Sequence, residues 1–447
     1  MPAPAGVEAA GWHLLGVFAA TIVSFLLRPV PMGLGVLIAV IALAATGALD
    51  VKEALAGYGD TTVWLVVAAF LLAGSVERSR FGQRIALGMV SLIGRSTLGL
   101  GYAICAAELI LGPIVPSNTA RGGGIMAPIV RSFALVLDST PSDQPERAGR
   151  FLVTVGAHAN LIAAAMFLTG MAANPLVSKA AADVFGVDFS WGTWALGAAV
   201  PGLLSFALLP LVIYRLERPT LRDASAAREQ ARAELAAMGA WSRNEKWMAV
   251  VLAVMLALWS TKPLHGLDAG IIALAGVAWL VLVRTQTWED VVRNVAAWDT
   301  FIWLGGLLAM ANGLKEHGVV AWFAAAMQDR VTGLDGLSLV LVLGIIYFYS
   351  MYGFSMLTAH ISAFVGAFLA VAAAAGAPPM LAIAVLAYFS NLCACTTNYS
   401  SGPVIIYFGF GYVPAPRWFK NGALMSLVHL TVWFGIGFAW WKLLGWW

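Results

Sequence analysis

Hydroxyl, amide and basic side chains interrupt an apolar segment at residues 110–130, "ILGPIVPSNTARGGGIMAPIV". Two prolines end the first apolar run, because proline lacks an N–H and restricts the residue before it. Ser117, Asn118 and Thr119 then lie at the start of the next helix, where free N–H groups and the positive helix end favour an anion. Arg121 follows directly. The pattern predicts an anion-binding tip, and a kinked helix with a Ser or Thr cap is the alternative.

A related interruption, "YGFSMLTAH", occurs at residues 352–360. At a fixed offset of 239 residues, Thr358 matches Thr119 and His360 matches Arg121. A buried arginine costs about 2.5–3.5 kcal/mol on insertion scales, so it normally faces a partner or a cavity. Two basic residues at matching positions therefore predict an anionic ligand or a fixed replacement for bound cations.

Each half of the chain contains a second discontinuity, in "AMFLTGMAANPL" (165–176) and in the uncharged stretch "CACTTNYSSGPVIIYFGFGYVP" (393–414). In the second stretch the candidate substrate-binding residues are Thr396, Thr397, Asn398, Ser400, Ser401 and Gly402. Supporting candidates are Thr169, Gly170 and Asn174, with His158 and Asn160 in "GAHANLI". For the last two, a polar group satisfied within its own helix is an equally good interpretation.

The composition predicts an all-α polytopic membrane protein. Of the 447 residues, 60% are hydrophobic and only 11% are charged, whereas soluble domains have about a quarter charged residues. Several apolar runs are long enough to span a bilayer. The net charge of +3 is small and spread over loops, so we expect no nucleic-acid partner. Because the sequence contains no phosphate loop, zinc motif or Ser-His-Asp set, we predict no enzymatic activity, no metal and no cofactor.

The two halves of the chain resemble one another at the same offset. Asp60 matches Asp299, and Glu77 matches Glu316. Both halves read as three apolar helices, a polar joint, an interrupted segment and two further spans. The first joint carries four arginines against one acid, whereas its counterpart is mixed in charge. By the positive-inside tendency the first joint is cytoplasmic and the second external, which predicts an inverted-topology repeat of about five spans per half.

These patterns divide the chain into a first repeat, a cytoplasmic amphipathic linker and an inverted second repeat: 1–214, 215–246 and 247–447. In the first repeat we expect scaffold helices at 12–76, an interfacial joint at 77–95, a re-entrant hairpin at 98–137, a broken helix at 151–176 and a helix at 191–214. In the second we expect scaffold helices at 247–315, a joint at 316–335, a re-entrant hairpin at 337–375, a broken helix at 380–414 and a helix at 421–445. Non-helical tips are tolerated at membrane depth only when they are buried or line a wet cavity.

The sequence resembles the divalent anion–sodium symporter family over nearly its whole length. The motifs that carry the resemblance are "WHLLGVFAATIV", "PSNTARGGGIMAPI", "AMFLTGMAANPL", "LTAHISAF" and "TTNYSSGPVIIYFGFGYVP". They are most similar to the branch that exchanges 2-oxoglutarate with malate, or citrate or tartrate with succinate. The resemblance implies a homodimer in the bacterial cytoplasmic (inner) membrane, with a scaffold and a transport domain that moves as an elevator. It also implies C4–C6 di- or tricarboxylates at the hairpin tips and at residues 397–401.

One departure from the family pattern bears on coupling. Sodium-coupled relatives carry a Ser-Asn-Thr triplet at both tips, whereas the second tip here reads Met356-Leu357-Thr358. We hypothesise that Arg121 and His360 replace sodium. An empty carrier would then cross poorly, because its buried positive charges lack a counter-anion, and exchange would be obligatory. Sodium-coupled symport of the same acids and a passive anion channel remain alternatives.

Overall fold

The computed structural model of the protein describes residues 2–27, 29–328 and 336–447. Within these residues the chain forms helices and no strand. Seven of the described helices are long and apolar enough to cross a membrane, and shorter apolar helices of 10–17 residues accompany them. The predicted all-α polytopic fold is therefore confirmed.

The described helices lie in the first half of the chain, in the predicted linker and in the second half. The first half contains α1 (Ala9–Leu27), α2 (Met32–Ala45), α3 (Val51–Ala56), α4 (Thr61–Ser79), α5 (Phe81–Ile93), α6 (Thr97–Leu111), α7 (Ala127–Val136), α8 (Gly149–Met166), α9 (Asn174–Phe185) and α10 (Trp191–Glu217). Helix α11 (Ser225–Met238) lies in the predicted linker. The second half contains α12 (Arg243–Ser260), α13 (Lys262–His265), α14 (Ala269–Leu282), α15 (Trp288–Val292), α16 (Val295–Glu316), α17 (Val319–Gln328), α18 (Gly336–Tyr349), α19 (Leu357–Ala374), α20 (Pro379–Leu392), α21 (Gly402–Gly409), α22 (Ala415–Thr431) and α23 (Phe438–Leu443).

The division into two repeats and a linker stays a prediction. The joint predicted at 316–335 includes Asp329, Arg330 and Asp335, which lie outside the described residues.

Short capped helices occupy matching places in the two halves. In α3, Asp50 accepts a hydrogen bond from the Glu53 amide (2.7 Å), and Glu53 accepts one from the Asp50 amide (2.9 Å). In α15, Thr287 and Asp290 form the same reciprocal pair. Each pair satisfies two backbone N–H groups that the first helical turn leaves free. Local sequence therefore fixes where the chain re-enters the helix before α4 and before α16.

The helices pack into two bundles. In the scaffold bundle (α1–α4 and α12–α16), α4 packs against α14 and α16, and α2 packs against α1 and α16. In the hairpin bundle (α6–α10 and α18–α23), α8 lies at the centre and contacts α6, α10 and α20. All but one residue of α8 is buried. Fewer contacts join the bundles, among them those of α9 with α4 and of α10 with α12.

Candidate functional site

The first interrupted segment reverses direction and forms a hairpin. Arg121 Nε donates to Glu108 Oε2 at 2.7 Å, although 13 residues separate the two positions. In a continuous helix these positions would lie about 20 Å apart, at about 1.5 Å per residue. The contact therefore requires the second arm to fold back on α6, which argues against the alternative of a kinked helix.

The second interrupted segment reverses in the same register. His360 Nε2 lies 3.1 Å from the carbonyl oxygen of Tyr347, again 13 residues earlier, and 2.8 Å from Ser350 Oγ. The offset of 239 that relates Arg121 to His360 also relates Glu108 to Tyr347. Both hairpins thus use the basic residue of the second arm to hold the first arm.

The polar residues of the tips lie where a helix begins. The chain leaves the helical conformation after Leu111 and resumes it in a π-helical segment, Thr119–Met126. Ser117 Oγ accepts a hydrogen bond from the Ala120 amide at 3.1 Å, as a capping side chain does. At the second tip the chain is extended around Phe354 and Met356, and α19 begins at Leu357. Backbone N–H groups at both helix starts are consequently available near the polar side chains.

Both tips contribute to a cavity of about 480 Å³ between the two bundles. From the hairpin bundle it is lined by Ser117, Asn118, Thr119, Ala120, Met171, Ala172, Met356 and Thr358. Four of the predicted substrate-binding residues, namely Ser117, Asn118, Thr119 and Thr358, therefore share one cavity. Its volume is typical of small-molecule sites, which measure about 300–1,000 Å³.

The scaffold bundle forms the opposite wall. Its lining residues are Met32, Phe70, Ala73, Gly74, Glu77, Asn294, Ala296, Asp299, Thr300 and Trp303. None of them was among the candidate site residues, although Glu77 and Asp299 belong to the positions that the repeat singled out. An acid at the end of an apolar span is usually a solvated terminus, so the sequence alone gave little reason to choose them.

Arg121 does not line the cavity. Its side chain is completely buried, and Nη1 donates to the carbonyls of Val115 and Gly170, both at 2.9 Å. Nη2 donates to the Asn160 carbonyl at 3.3 Å, and Nε is paired with Glu108. The expectation that Arg121 meets a substrate carboxylate is not supported by this geometry, because four donor contacts are already used within the hairpin bundle. Arg121 positions the first tip.

Glu108 is a site-supporting residue that sequence reasoning missed. It lies in α6 with a fully buried side chain, and Asn160 Nδ2 is 3.2 Å from its Oε2 atom. The same amide donates to the carbonyl of Asn118 at 3.2 Å, so Asn160 joins the ion pair to the tip. An ionisable residue within an apolar membrane segment is a signal in its own right. The predicted hairpin, combined with Arg121, could have identified it.

His360 also lies outside the cavity lining, and its Nε2 atom is occupied by the contacts to Tyr347 and Ser350. Its ring packs edge-on against Phe354, 5.2 Å between centroids. His360 therefore holds the second tip in place, and the expectation of direct contact with substrate is not supported for this residue either.

The supporting candidates of the first broken helix link that helix to the first tip. Thr169 Oγ1 donates to the Pro113 carbonyl at 3.0 Å, and the Gly170 carbonyl accepts from Arg121. Asn174 donates to the carbonyl of Ala164 at the end of α8 and to that of Phe167 in the unwound joint, and it accepts from Asn391 Nδ2 at 2.8 Å. Since Asn391 belongs to α20, this bond connects the two broken helices.

The second unwound segment lies beside the first tip without lining the cavity. Thr396 Oγ1 donates to the Cys393 carbonyl at 2.8 Å, and Ser400 Oγ to the Ala394 carbonyl at 2.6 Å. Thr397 and Ser401 are buried, and their hydroxyl groups have no hydrogen-bond partner among the described residues. Asn398 is half-buried. A Cβ atom on Gly402 would come within 2.5 Å of Thr119 Oγ1, so this segment packs directly on the tip.

His158 is buried in α8 and does not line the cavity. Its Nδ1 atom has no hydrogen-bond partner among the described residues, and the same holds for both ring nitrogens of the buried His429 in α22. Among the described residues, no hydrogen bond joins Nδ1 of His158 to either tip, and a role in substrate binding stays a prediction.

A polar cavity between two membrane-spanning bundles, bordered by two re-entrant tips, is the architecture of a secondary transporter. The comparisons with known proteins agree with this class. A family model described as "Sodium:sulfate symporter transmembrane region" matches residues 1–447, and the chain belongs to this family. The resemblance seen in the sequence is thereby confirmed, and the protein is a transporter rather than an enzyme.

The similar proteins cover all or most of the chain. YflS of Bacillus subtilis is 44% identical over 100% of this chain and 94% of its own length. Dicarboxylate transporter 1, chloroplastic, of Spinacia oleracea is 38% identical over 100% of this chain and 79% of its own length. The L-tartrate/succinate antiporter of Shigella boydii is 32% identical over 98% and 94%. The crystal structure of the YdaH transporter of Alcanivorax borkumensis covers 88% of both chains with a TM-score of 0.61 and 15% identity, which establishes likeness of fold.

Proposed function

We propose that the protein exchanges C4–C6 di- or tricarboxylates, such as malate, succinate, 2-oxoglutarate, tartrate or citrate, across the bacterial cytoplasmic membrane. The observation that carries this proposal is the cavity shared by Ser117, Asn118, Thr119 and Thr358. Hydroxyl and amide groups and the N–H groups at helix starts bind carboxylates, and the positive helix ends favour a negative charge there. The names of the spinach and Shigella relatives support the same substrate class.

The surroundings of Arg121 and His360 support transport without sodium. Three backbone carbonyls and one carboxylate surround the Arg121 guanidinium. Carbonyl oxygens of unwound helices are the groups that hold sodium in many secondary transporters. With a guanidinium in that place, these three carbonyls and this carboxylate are not free to hold sodium. His360 occupies the matching place in the second hairpin.

The reason for exchange differs from the one that the sequence suggested. Arg121 has a counter-anion, Glu108, so the empty first tip carries no net charge from this pair. What the empty site does carry is a set of polar groups at two tips that face the scaffold bundle. If the tips moved past the scaffold without a substrate, these polar groups would lose their bound water and gain no other hydrogen-bond partner. Burying polar groups in this way is costly. A bound dicarboxylate satisfies them, and this favours exchange over one-way transport.

The movement that fits this arrangement is an elevator, in which the hairpin bundle slides against the scaffold bundle. The limited contact between the bundles supports such sliding. We propose a homodimer that holds the scaffold bundles still.

Counterflow into proteoliposomes tests the function. With unlabelled malate inside, labelled succinate should accumulate with saturable kinetics, and accumulation should be equal in sodium and potassium buffers. Vesicles without internal dicarboxylate should show almost no uptake. Sodium-dependent net uptake into empty vesicles would instead establish the symport suggested by the family description, and flux that does not saturate would establish a channel.

Replacing Ser117 or Thr358 by Ala should raise the KM for succinate about tenfold, because each loses a polar contact worth about 1–1.5 kcal/mol. Thr154→Ala is the matched control, because Thr154 donates to the Arg150 carbonyl within α8 and does not line the cavity.

A further inference from the structure

The two walls of the cavity differ in charge. The hairpin wall offers hydroxyl, amide and backbone groups, whereas the scaffold wall carries the carboxylates of Glu77 and Asp299. Both side chains are exposed, and neither has an ion-pair or hydrogen-bond partner for its carboxylate among the described residues. No Lys, Arg or His is among the described residues that line the cavity. A substrate bound at the tips therefore faces the carboxylates of Glu77 and Asp299 on the scaffold wall, and neither carboxylate is paired with a described cation.

Two described cations near the cavity, Arg78 and Arg121, are already paired. The guanidinium of Arg78 lies beside Gly74 at the cavity edge, but it is 3.8 Å from Asp290 and donates to Gln286 at 3.3 Å. Hydrogen bonds from the backbone and hydroxyl of Thr287 lower the pKa of Asp290, which keeps this partner ionised. Arg121 is paired with Glu108 behind the tip. Neither of these two cations is consequently free to neutralise Glu77 or Asp299.

We propose that Glu77 and Asp299 determine the substrate's charge: they admit dianions and exclude an acid with a third ionised carboxylate. The inference rests on the proposed function and narrows its substrate class to dicarboxylates. Two carboxylates of a substrate can both contact the tips, whereas a third has to point toward the scaffold wall. A cavity of this volume is about 10 Å across, no more than the Debye length of about 10 Å at 0.1 M salt, so salt screens this repulsion poorly.

Volume does not explain such exclusion. The cavity of about 480 Å³ has room for a six-carbon tricarboxylate, since sites of about 300 Å³ already accept small molecules. Discrimination between malate and citrate would therefore be electrostatic. The repulsion would come from the scaffold wall, whereas the tips bind the substrate. A site built in this way can reject a competitor without losing affinity for its own substrate.

Competition in the counterflow assay tests the proposal. In the wild type, citrate should inhibit malate exchange poorly at neutral pH and better at mildly acidic pH, where its third carboxyl is protonated. A citrate monomethyl ester, which is as large but carries only two ionised carboxylates, should inhibit at neutral pH as well as malate does. In Glu77→Gln, Asp299→Asn and the double variant, the ratio of the inhibition constants of citrate and malate should fall by about tenfold or more.

The repeat supplies matched controls, Glu316→Gln and Asp60→Asn, which neutralise the equivalent acids outside the cavity lining. They should leave the ratio unchanged. If the ester is excluded as strongly as citrate, or if the cavity variants keep the wild-type ratio, the proposal is wrong and exclusion is steric or absent. A wild-type protein that shows no dicarboxylate counterflow at all would instead refute the proposed function, so the two failures are distinguishable.

Discussion

At the scale of single residues, the ion pair of Arg121 and Glu108 decides how the first tip is held. Both side chains are fully buried, and the guanidinium also binds three carbonyls of the tip and the broken helix. Removing one partner of a buried pair typically costs about 3–5 kcal/mol, because the other charge stays buried without compensation. The ion pair is therefore needed to hold the first tip in its conformation.

Arg121→Ala should abolish exchange and strongly lower the thermal unfolding temperature in detergent, because Glu108 loses its counter-charge and three carbonyls lose a donor. The double variant Arg121→Ala/Glu108→Gln should recover part of the unfolding temperature without recovering exchange. Arg293→Ala, which removes an exposed arginine paired with Glu289, is the control and should change neither. Undiminished exchange in Arg121→Ala would show that the arginine is dispensable for transport.

At the scale of elements, close backbone packing brings the second half of the chain onto the first tip. The start of α21 approaches the π-helical segment so closely that a Cβ on Gly402 would lie 2.5 Å from Thr119 Oγ1. A Cβ on Gly122 would lie 2.5 Å from Asn160 Nδ2, and a Cβ on Gly123 would meet the end of the Ile406 side chain. Glycine at these positions permits this close approach, whereas a larger residue would require these neighbouring side chains to shift. The position of Thr119 in the cavity thus depends on α21.

Gly402→Ala should lower the exchange rate about tenfold, because the added methyl group displaces Thr119 from its place in the cavity. Gly124→Ala is the matched control on the π-helical segment, since a Cβ there has no atom within 4 Å. The control should keep wild-type exchange and gain slightly in stability. Both variants should be compared at equal reconstituted protein, and equal activity of the two would contradict this account of the tip.

At the scale of the whole molecule, ion pairs join the scaffold bundle to α9 and to the segment that follows it. Lys262 lies 2.6 Å from Asp188, and Lys315 lies 3.4 Å from Asp183. Cavities of about 380 and 300 Å³ separate α9 from the scaffold bundle near these pairs. Exposed ion pairs are worth only about 0–1 kcal/mol each, so they contribute little to fold stability. In the proposed elevator movement they would bear instead on which arrangement of the bundles is populated.

The double variant Lys262→Gln/Lys315→Gln should weaken the attachment of α9 to the scaffold bundle. Thr62 lines the larger of these two cavities, and the three native cysteines are buried, so Thr62→Cys reports its accessibility. We expect a membrane-impermeant thiol reagent to label Thr62→Cys about two- to fivefold faster in the double variant at low salt, with a smaller difference at high salt. The control Lys179→Gln removes the partner of Asp183 within α9. In this control, Thr62→Cys should be labelled as fast as in the protein that carries Thr62→Cys alone. Unchanged labelling in the double variant would show that the pairs do not hold the bundles.

The sequence by itself determined the class of fold and the location of the tips. Long apolar runs must be helical in a membrane, since each backbone polar group has to be satisfied within its own segment. Pro113 and Pro116 cannot continue a helix, and the polar triplet that follows them is too costly to face lipid. The fixed offset of 239 then located the second tip, and the full-length family match agrees with the resemblance that these motifs carry.

Only the tertiary structure decided which polar residues face the cavity and which are used up by neighbours. In the sequence, Arg121 and Ser117 are equally good candidates for contact with the substrate. In the structure, Arg121 is enclosed by Glu108 and backbone carbonyls, whereas Ser117 lines the cavity. Glu77 and Asp299 come from distant parts of the chain and meet on one wall because α4 packs against α16. The hydropathy of a segment is a local property, so it can be read from the sequence. The pairing of charges joins residues that are distant in the sequence, so it depends on which helices become neighbours.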